Sequence, residues 1–286
     1  MIIAVASGKG GTGKTTVATS LALSLAPLMP VTFLDCDVEA PNAHLFLKPQ
    51  IEKRMPATLP VPLVDEAVCQ HCGQCAEVCQ FHAITAVGAT ILVFPDLCHG
   101  CGSCALSCPE GAIREVPRSL GMLESGRGTD GIQFAQGVLD IGQSLAVPVI
   151  RQLRGQFKNN PAELTIIDAP PGTSCPVVES IRGADYVVLV TEPTPFGLHD
   201  LKLAYQLTQD LGLPAGVVIN RDGIGDMGVS AFCATHDLAV LLRIPLDAEL
   251  AGALASGIPL VDCAPRYRLQ FQRLLAMTAR AQKEPV

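Results

Sequence analysis

Short runs of apolar residues recur along most of this chain, each bounded by glycine, proline or charged residues. Such runs are typical of strands buried on both faces, whereas apolar residues recurring at the helical period predict helices. Strands are predicted at residues 2–6, 31–34, 164–167, 186–190, 215–219 and 238–244, with a strand or hairpin at 132–141. Helices are predicted at residues 17–23, 149–157, 198–211 and 266–281. This alternation predicts an α/β fold, a mainly parallel sheet flanked by helices, with ligands at the carboxyl ends of the strands.

The alternation stops in the middle of the chain. Prolines before this region and a proline with several glycines after it break regular structure and predict two linkers. These residues are Pro56, Pro60 and Pro62, then Pro117, Gly121, Gly126, Gly128 and Gly131. We therefore predict a discontinuous α/β domain of residues 1–60 and 117–286, and an inserted α+β module of residues 61–116.

The C-terminal helix has apolar residues on overlapping faces together with several arginines. A helix lying on a membrane surface is one interpretation, and a helix packed on the core with a charged outer face is the other. We expect the packed helix and no membrane contact, since no apolar run is long enough to cross a bilayer.

The formal net charge of -7 and the pI of about 5.3 argue against a general nucleic-acid partner, which needs basic surface. Charged residues make up 16% of the chain and the mean hydropathy is +0.36, as buried parallel strands require. The apolar start is soon interrupted by glycines and a lysine, and it predicts a strand rather than a secretory signal. We expect a cytoplasmic protein, where clustered cysteines indicate metal binding rather than disulfides.

A glycine-rich loop separates the first predicted strand from the first predicted helix. Its segment Gly8-x4-Gly13-Lys14-Thr15 fits the phosphate-loop pattern. Glycines let successive N–H groups curve around phosphate oxygens, and the helix N-terminus adds partial positive charge. We expect Lys14 to contact the β- and γ-phosphates and the Thr15 hydroxyl to bind Mg²⁺.

Lys9 is a second lysine in this loop, which runs Lys9-Gly10-Gly11-Thr12-Gly13-Lys14-Thr15-Thr16. The loop resembles the deviant Walker A motif of the MinD/ParA/Mrp ATPases, a group that includes the nitrogenase iron protein. The resemblance implies a homodimer that encloses ATP, with Lys9 of each subunit acting on the phosphates bound by the other. A solvated loop lysine is the alternative. The implied ATP-binding residues of the loop are Gly8, Lys9, Gly10, Gly11, Thr12, Gly13, Lys14, Thr15 and Thr16.

Two aspartates, Asp35 and Asp37, follow the second predicted strand, and Asp168 ends a later one. In the resembled family the second aspartate of such a pair orients the attacking water, which implies a catalytic and Mg²⁺-binding role for Asp37. For Asp35, capping of a helix is as good an interpretation as a direct role. Asp168-Ala169-Pro170-Pro171-Gly172 fits the Walker B and switch II pattern, so Asp168 is expected to hold Mg²⁺ through a bound water.

The same resemblance assigns the rest of the nucleotide site. The Gly172 N–H is expected to sense the γ-phosphate. Asn220 and Arg221 follow a predicted strand and resemble the base-binding segment of the family, where an amide side chain pairs with adenine.

Eight of the twelve cysteines lie between residues 69 and 108. They form two sets at an offset of 29 residues, each with three cysteines in a short loop and a fourth just after it. This is the two-cluster bacterial ferredoxin pattern, in which the fourth cysteine of each set binds the other cluster. The expected [4Fe–4S] ligands are Cys69, Cys72, Cys75 and Cys108 for one cluster, and Cys79, Cys98, Cys101 and Cys104 for the other. Zinc is the alternative, although triplets with a trailing single cysteine favour cubanes over paired zinc ligands.

Taken together, the chain resembles MinD-superfamily ATPases that carry an inserted ferredoxin domain. The resemblance implies ATP, Mg²⁺ and two [4Fe–4S] clusters as cofactors, and a redox or metalloprotein as partner. We expect ATP-dependent dimerisation and hydrolysis to be coupled to electron transfer, because fully ligated clusters suit an electron carrier. The alternatives are a spatial organiser with redox-sensing clusters and a carrier that delivers clusters to metalloenzymes.

Overall fold

The computed structural model describes residues 1–157 and 162–281. Within them, nine strands form a central sheet and two form a separate hairpin. The central strands are β1 (Ile2–Ala6), β2 (Val31–Asp35), β3 (Gln50–Val64), β6 (Ile113–Arg127), β7 (Gln133–Leu139), β8 (Leu164–Asp168), β9 (Tyr186–Thr191), β10 (Ala215–Asp222) and β11 (Val240–Pro245). The hairpin consists of β4 (Ile84–Val87) and β5 (Thr90–Val93).

The order of the central sheet is β11-β10-β9-β1-β8-β2-β7-β6-β3. Neighbours from β11 to β7 are parallel, whereas β6 and β3 are antiparallel additions at one side. The parallel strands are almost fully buried because helices cover both faces, as continuous apolar runs predict. The predicted strands are confirmed to within a few residues.

The helices are α1 (Lys14–Leu25), α2 (His44–Leu47), α3 (Gln74–Glu77), α4 (Ser103–Leu106), α5 (Ala146–Phe157), α6 (Cys175–Ile181), α7 (Pro195–Asp210), α8 (Gly228–Thr235), α9 (Ala248–Ala255), α10 (Leu260–Cys263) and α11 (Arg266–Ala281). Alternate residues of the strands face opposite sides of the sheet. One buried cluster joins the sheet to α5, α6, α7 and α8, and another joins it to α1, α9, α10 and α11. The fold is therefore α/β, with a mainly parallel sheet between two layers of helices, as predicted.

Helix α11 packs on the core, as expected. Leu274 and Thr278 are fully buried, while Leu269 is exposed. Arg268 and Gln272 donate hydrogen bonds to the last turns of α1, at the carbonyls of Leu23 (3.0 Å) and Ser24 (3.1 Å). Among the described residues, no helix combines the length and apolar character needed to cross a membrane.

The expectation of two irregular linkers is wrong. Most of both segments lies in long strands, β3 and β6, which pair antiparallel from Gln50–Arg127 to Val64–Ile113, and only Gly128 and Gly131 fall beyond β6, in a turn. β3 tolerates its prolines because it is an edge strand, where N–H groups that face away from the neighbour make no ladder bond. A Cβ on Gly121 would lie 2.1 Å from the Val138 carbonyl oxygen, so this glycine permits close strand approach rather than flexibility.

The outer half of this two-stranded ribbon extends beyond the sheet, because β6 pairs with β7 only through residues 121–127. The ribbon carries the cysteine module at its end, and the predicted domain boundaries fall within it. Helices α3 and α4 of the module begin 29 residues apart, which is also the offset between the two cysteine sets. The predicted duplication therefore has a counterpart in the secondary structure.

Candidate functional site

The glycine-rich loop lies between β1 and α1. Gly13 precedes α1 with φ of 92°, and a Cβ there would lie 2.4 Å from Nδ2 of Asn220. That nitrogen donates a 2.8 Å hydrogen bond to the Thr12 carbonyl, so Asn220 supports the loop from the end of β10. Gly8 serves packing, since a Cβ there would lie 2.2 Å from the carbonyl oxygen of Asp200 in α7.

A cavity of about 450 Å³ opens at the carboxyl ends of the strands, a volume suited to a cofactor-sized ligand. Polar loop residues form one wall, and apolar residues of α9 and α10 form another. The predicted site residues in its lining are Gly10, Gly11, Gly13, Lys14, Thr15, Thr16, Asp37, Asn220 and Arg221. The predicted residues outside its lining are Gly8, Lys9, Thr12, Asp168 and Gly172.

Asp168 ends β8 beneath this cavity. It is fully buried, and neither of its carboxylate oxygens has a hydrogen-bond partner among the described residues. Burial raises the pKa of Asp168 to about 7, although the neighbouring Thr15 hydroxyl and Lys14 ammonium act to lower it. A buried carboxylate without a partner, next to a hydroxyl, is a donor set that fits Mg²⁺ with bound water.

The two aspartates after β2 differ in their surroundings. Asp35 is fully buried and accepts hydrogen bonds from the N–H groups of Asp37 (3.1 Å), Asn42 (3.1 Å) and Ala43 (3.0 Å). It therefore shapes the loop that presents Asp37 to the cavity, and it is not the N-cap of a helix, since Ala43 precedes α2 and no side chain among the described residues caps that helix. Burial raises the pKa of Asp37, which Lys14 opposes, and burial together with Asp168 raises that of Asp35.

Lys9 contacts an acidic side chain of its own chain. Its Nζ lies 3.9 Å from Glu192 Oε2, and Arg221 pairs with the other oxygen of Glu192. Glu192 directly follows β9, so its place at the carboxyl end of a buried strand was a signal that sequence analysis overlooked. The Gly172 N–H donates a 3.0 Å hydrogen bond to the Ser7 carbonyl, and contact with a γ-phosphate requires this bond to break.

Asn42 and Phe46 also line the cavity, and sequence analysis missed both. They belong to the loop after β2 and to the short helix α2, where no motif or strand end marks them. Only the tertiary structure brings them to the cavity that residues of α9 and α10 also line.

The structure brings together the two cysteine quartets that the spacing predicts. One small cavity is lined by Cys69, Cys72, Cys75 and Cys108, and another by Cys79, Cys98, Cys101 and Cys104. In the part of the chain that the structure describes, no three His, Cys, Asp or Glu side chains are grouped to hold a single metal ion. Each quartet instead encloses a cavity, and Gly73 and Gly102, with left-handed backbone, turn the two loops.

Backbone N–H groups point at four of the sulfurs in two related pairs. His71 and Gly100 donate to Cys69 and Cys98, each at 3.4 Å. Ala83 and Ala112 donate to Cys79 and Cys108, each at 3.3 Å. These donors repeat at the 29-residue offset, and N–H groups aimed at sulfur are typical of iron–sulfur sites.

Two side-chain contacts break the repeat: His71 Nδ1 lies 3.9 Å from Cys69 Sγ, where the other set has Gly100, and Ser103 contacts Cys101. The Ser103 hydroxyl lies 3.4 Å from Cys101 Sγ and lowers the pKa of that thiol. Burial acts in the opposite direction at Cys98 and Cys104, whose pKa values it raises.

Comparison with known proteins supports the nucleotide-binding fold. The family model of the CobQ/CobB/MinD/ParA nucleotide binding domain matches residues 3–260. An uncharacterized protein of Methanocaldococcus jannaschii is 31% identical over 92% of this chain and 90% of its own length. A Pyrococcus abyssi protein named iron-sulfur cluster carrier protein is 26% identical over 91% and 78% of the two chains. The septum site-determining protein MinD of Pyrococcus horikoshii, solved with Mg-ADP, aligns with a TM-score of 0.58 and 20% identity over 98% of this chain and 95% of that one.

Proposed function

The chain belongs to the CobQ/CobB/MinD/ParA family of P-loop ATPases, and from that premise we propose a Mg²⁺-dependent ATPase coupled to two [4Fe–4S] clusters. ATP binding closes a homodimer, and the clusters in the insert pass electrons to a partner protein. One observation carries the proposal: two complete cysteine quartets, each around its own cavity, are held by a ribbon continuous with the sheet of an ATPase fold.

The residues of the nucleotide site fit this chemistry. Thr15 and Asp168 are the expected Mg²⁺ ligands, the latter through water, and Asp37 supports the same shell. Bound Mg²⁺ neutralises charge on the β- and γ-phosphates. Lys14 lies at the start of α1, where its ammonium and the helix N-terminus both attract phosphate. Asp37, with its raised pKa, accepts a proton from the attacking water or aligns it.

The insert supplies four thiolates to each cluster, and the clusters carry single electrons. With one cysteine for each iron, no iron is left open for transfer to another protein. The N–H groups directed at the sulfurs stabilise the thiolate charge. Full ligation and internal donors favour electron transfer over release of the cluster.

The test begins with full-length protein purified without oxygen. We expect about eight irons per chain and binding of Mg·ATP with slow hydrolysis. Lys14→Ala abolishes hydrolysis and leaves the iron content unchanged, whereas Lys53→Ala, an exposed lysine of β3, changes neither. Protein that lacks iron, or that fails to bind Mg·ATP, contradicts the proposal.

A cluster carrier is the second candidate, favoured by the name of the Pyrococcus abyssi relative. Incubation of the loaded protein with an apo-ferredoxin and Mg·ATP separates the two functions. Electron transfer predicts that iron stays on the chain, and a carrier predicts that iron moves to the acceptor during ATP turnover.

A further inference from the structure

Arg118 joins the cysteine module to the ATPase part of the chain. It lies on β6, and its side chain is only 17% exposed. Its Nη1 donates a 2.5 Å hydrogen bond to the Pro95 carbonyl. Its Nη2 pairs with Asp96 and donates a hydrogen bond to Gln143 Oε1 at 2.9 Å. Pro95 and Asp96 belong to the insert, whereas Gln143 lies between β7 and α5. A single side chain therefore bridges the two parts.

On the insert side, this bridge ends at the second cysteine quartet, which consists of Cys79, Cys98, Cys101 and Cys104. The Pro95 carbonyl that accepts from Arg118 also accepts a 3.2 Å hydrogen bond from the Cys98 N–H. The next turn is seated on the ribbon, because a Cβ on Gly100 would lie 2.8 Å from Leu59 Cδ1. Cys98 accordingly belongs to the buried cluster that includes Leu59 and Leu120.

The first quartet, which consists of Cys69, Cys72, Cys75 and Cys108, packs against different residues. Cys75 packs with Ile84, Ile91 and Ile113 in a small core of the insert itself. The second quartet is thus the one in direct contact with the ATPase sheet through Cys98.

On the ATPase side, the bridge leads to the loop that carries Asp37. Val38, the next residue, accepts a 2.8 Å hydrogen bond from the Leu139 N–H at the end of β7. A Cβ on Gly137 would lie 2.6 Å from Val38 Cγ1, so β7 and this loop are tightly packed. The Asp140 N–H then donates to the Leu120 carbonyl (2.9 Å), which ties the following loop to β6 two residues from Arg118.

We propose that Arg118 is the positioning residue that transmits the nucleotide state of the ATPase site to the second cysteine quartet. Rearrangement of Asp37 around a γ-phosphate displaces Val38, and the end of β7 carries that displacement to Gln143, Arg118 and the Pro95–Cys98 turn. The cluster held by Cys79, Cys98, Cys101 and Cys104 responds to ATP, and the other cluster does not. This inference rests on the proposed function, since it requires both clusters and a bound nucleotide.

The experiment is an EPR-monitored redox titration of the anaerobic full-length protein, with and without Mg²⁺ and a non-hydrolysable ATP analogue. Cys72→Ser identifies the signals of the first quartet. In the unaltered protein we expect the nucleotide to shift the potential of the second cluster alone. Arg118→Gln and Gln143→Ala lose this shift while keeping iron content and nucleotide affinity. Arg114→Gln, an exposed arginine of the same strand, keeps the shift.

Gln143→Ala guards against a folding defect, because it leaves the contacts of Arg118 with Pro95 and Asp96 intact. Hydrogen exchange of the 95–98 segment gives a second readout, and its protection should depend on nucleotide only when Arg118 and Gln143 are present. A shift retained in both variants, a shift confined to the first cluster, or no shift in loaded, nucleotide-bound protein overturns the role of Arg118. Protein without clusters or without Mg·ATP binding overturns the proposed function as well.

Discussion

Among single side chains, Ser103 marks the clearest difference between the two halves of the cysteine module. Its hydroxyl lies 3.4 Å from Cys101 Sγ, while the equivalent position 29 residues earlier is occupied by Gln74, which has no hydrogen bond to sulfur among the described residues. Hydrogen bonds to the sulfurs of a cluster favour its reduced, more negative form and raise its potential. The two clusters should therefore differ in potential.

We predict that Ser103→Ala lowers the potential of the second cluster by about 40 mV, the equivalent of one hydrogen bond of about 1 kcal/mol. Redox titration of the anaerobic protein measures the change. Gln74→Ala is the matched control and should leave both potentials nearly unchanged. Equal effects of the two substitutions would contradict a specific role for the hydroxyl.

If Asp168 holds Mg²⁺ as proposed, Mg²⁺ binding should depend on pH. Its pKa of about 7 means that the proton and the metal compete for the carboxylate below neutral pH, so affinity falls as pH falls. We predict Mg²⁺-dependent binding of an ATP analogue to be about tenfold weaker at pH 6 than at pH 8. Titration calorimetry at several pH values tests this.

Asp168→Asn is the control for protonation of the nucleotide, because phosphates also take up a proton near pH 6. The variant should bind the Mg·nucleotide more weakly at every pH and lose the part of the dependence that belongs to the carboxyl. The same pH dependence in the variant and the unaltered protein would show that Asp168 does not titrate in this range.

Among the secondary-structure elements, the ribbon of β3 and β6 was the least predictable from sequence. Prolines and glycines normally indicate turns, and here they occur in two long strands. Their tolerance depends on β3 being at the sheet edge and on β6 crossing closely past β7, which are facts about distant segments. The buried parallel strands were predictable because each one is apolar throughout.

Gln152 of α5 anchors the ribbon at its bulge between Ala57 and Thr58. Its side chain accepts a hydrogen bond from the Thr58 N–H (3.1 Å) and donates one to the Thr58 carbonyl (2.8 Å). These bonds replace those that a further strand would make on the open side of β3. We predict that Gln152→Ala lowers the free energy of unfolding by about 1–3 kcal/mol, since it leaves both groups of Thr58 without this partner. A lower urea midpoint of the loaded protein checks it.

Gln156→Ala provides the comparison one turn further along α5. Gln156 is exposed, and its side chain makes one weak hydrogen bond among the described residues, to Met55 Sδ at 3.8 Å, so its loss should change the midpoint little. If the two variants unfold at the same urea concentration, the anchoring role of Gln152 is wrong.

At the scale of the whole molecule, the proposed homodimer requires Lys9 to leave its contact with Glu192 of its own subunit. Lys9 faces Glu192 at 3.9 Å here, whereas the proposed dimer requires it to contact the partner's nucleotide. We predict that Lys9→Ala weakens ATP-dependent dimerisation roughly a hundred- to ten-thousandfold, because the symmetric dimer loses two charge-assisted hydrogen bonds, each worth a factor of about ten to a hundred. Light scattering with a non-hydrolysable ATP analogue measures the dimer.

The control is Lys53→Ala, which makes the same lysine-to-alanine change on β3, outside the glycine-rich loop, and should dimerise normally. Lys9→Ala protein should still bind nucleotide as a monomer, because Lys14 and Thr15 remain in place. A dimer of undiminished stability would favour the alternative that Lys9 is a solvated loop lysine.

Local sequence pattern was sufficient to predict the phosphate loop, the buried strands and the grouping of the eight cysteines into two quartets. In each case the signal lies within a few consecutive residues or repeats at a constant offset. The location of Asn220, Asp37 and Asp168 at one edge of the sheet was also predictable, since the carboxyl ends of parallel strands meet there. Only the tertiary structure placed Glu192 beside Lys9, Gln152 beside Thr58, and Arg118 between Pro95 and Gln143. These contacts join segments far apart in the chain, and their side chains carry no local signal until packing brings them together.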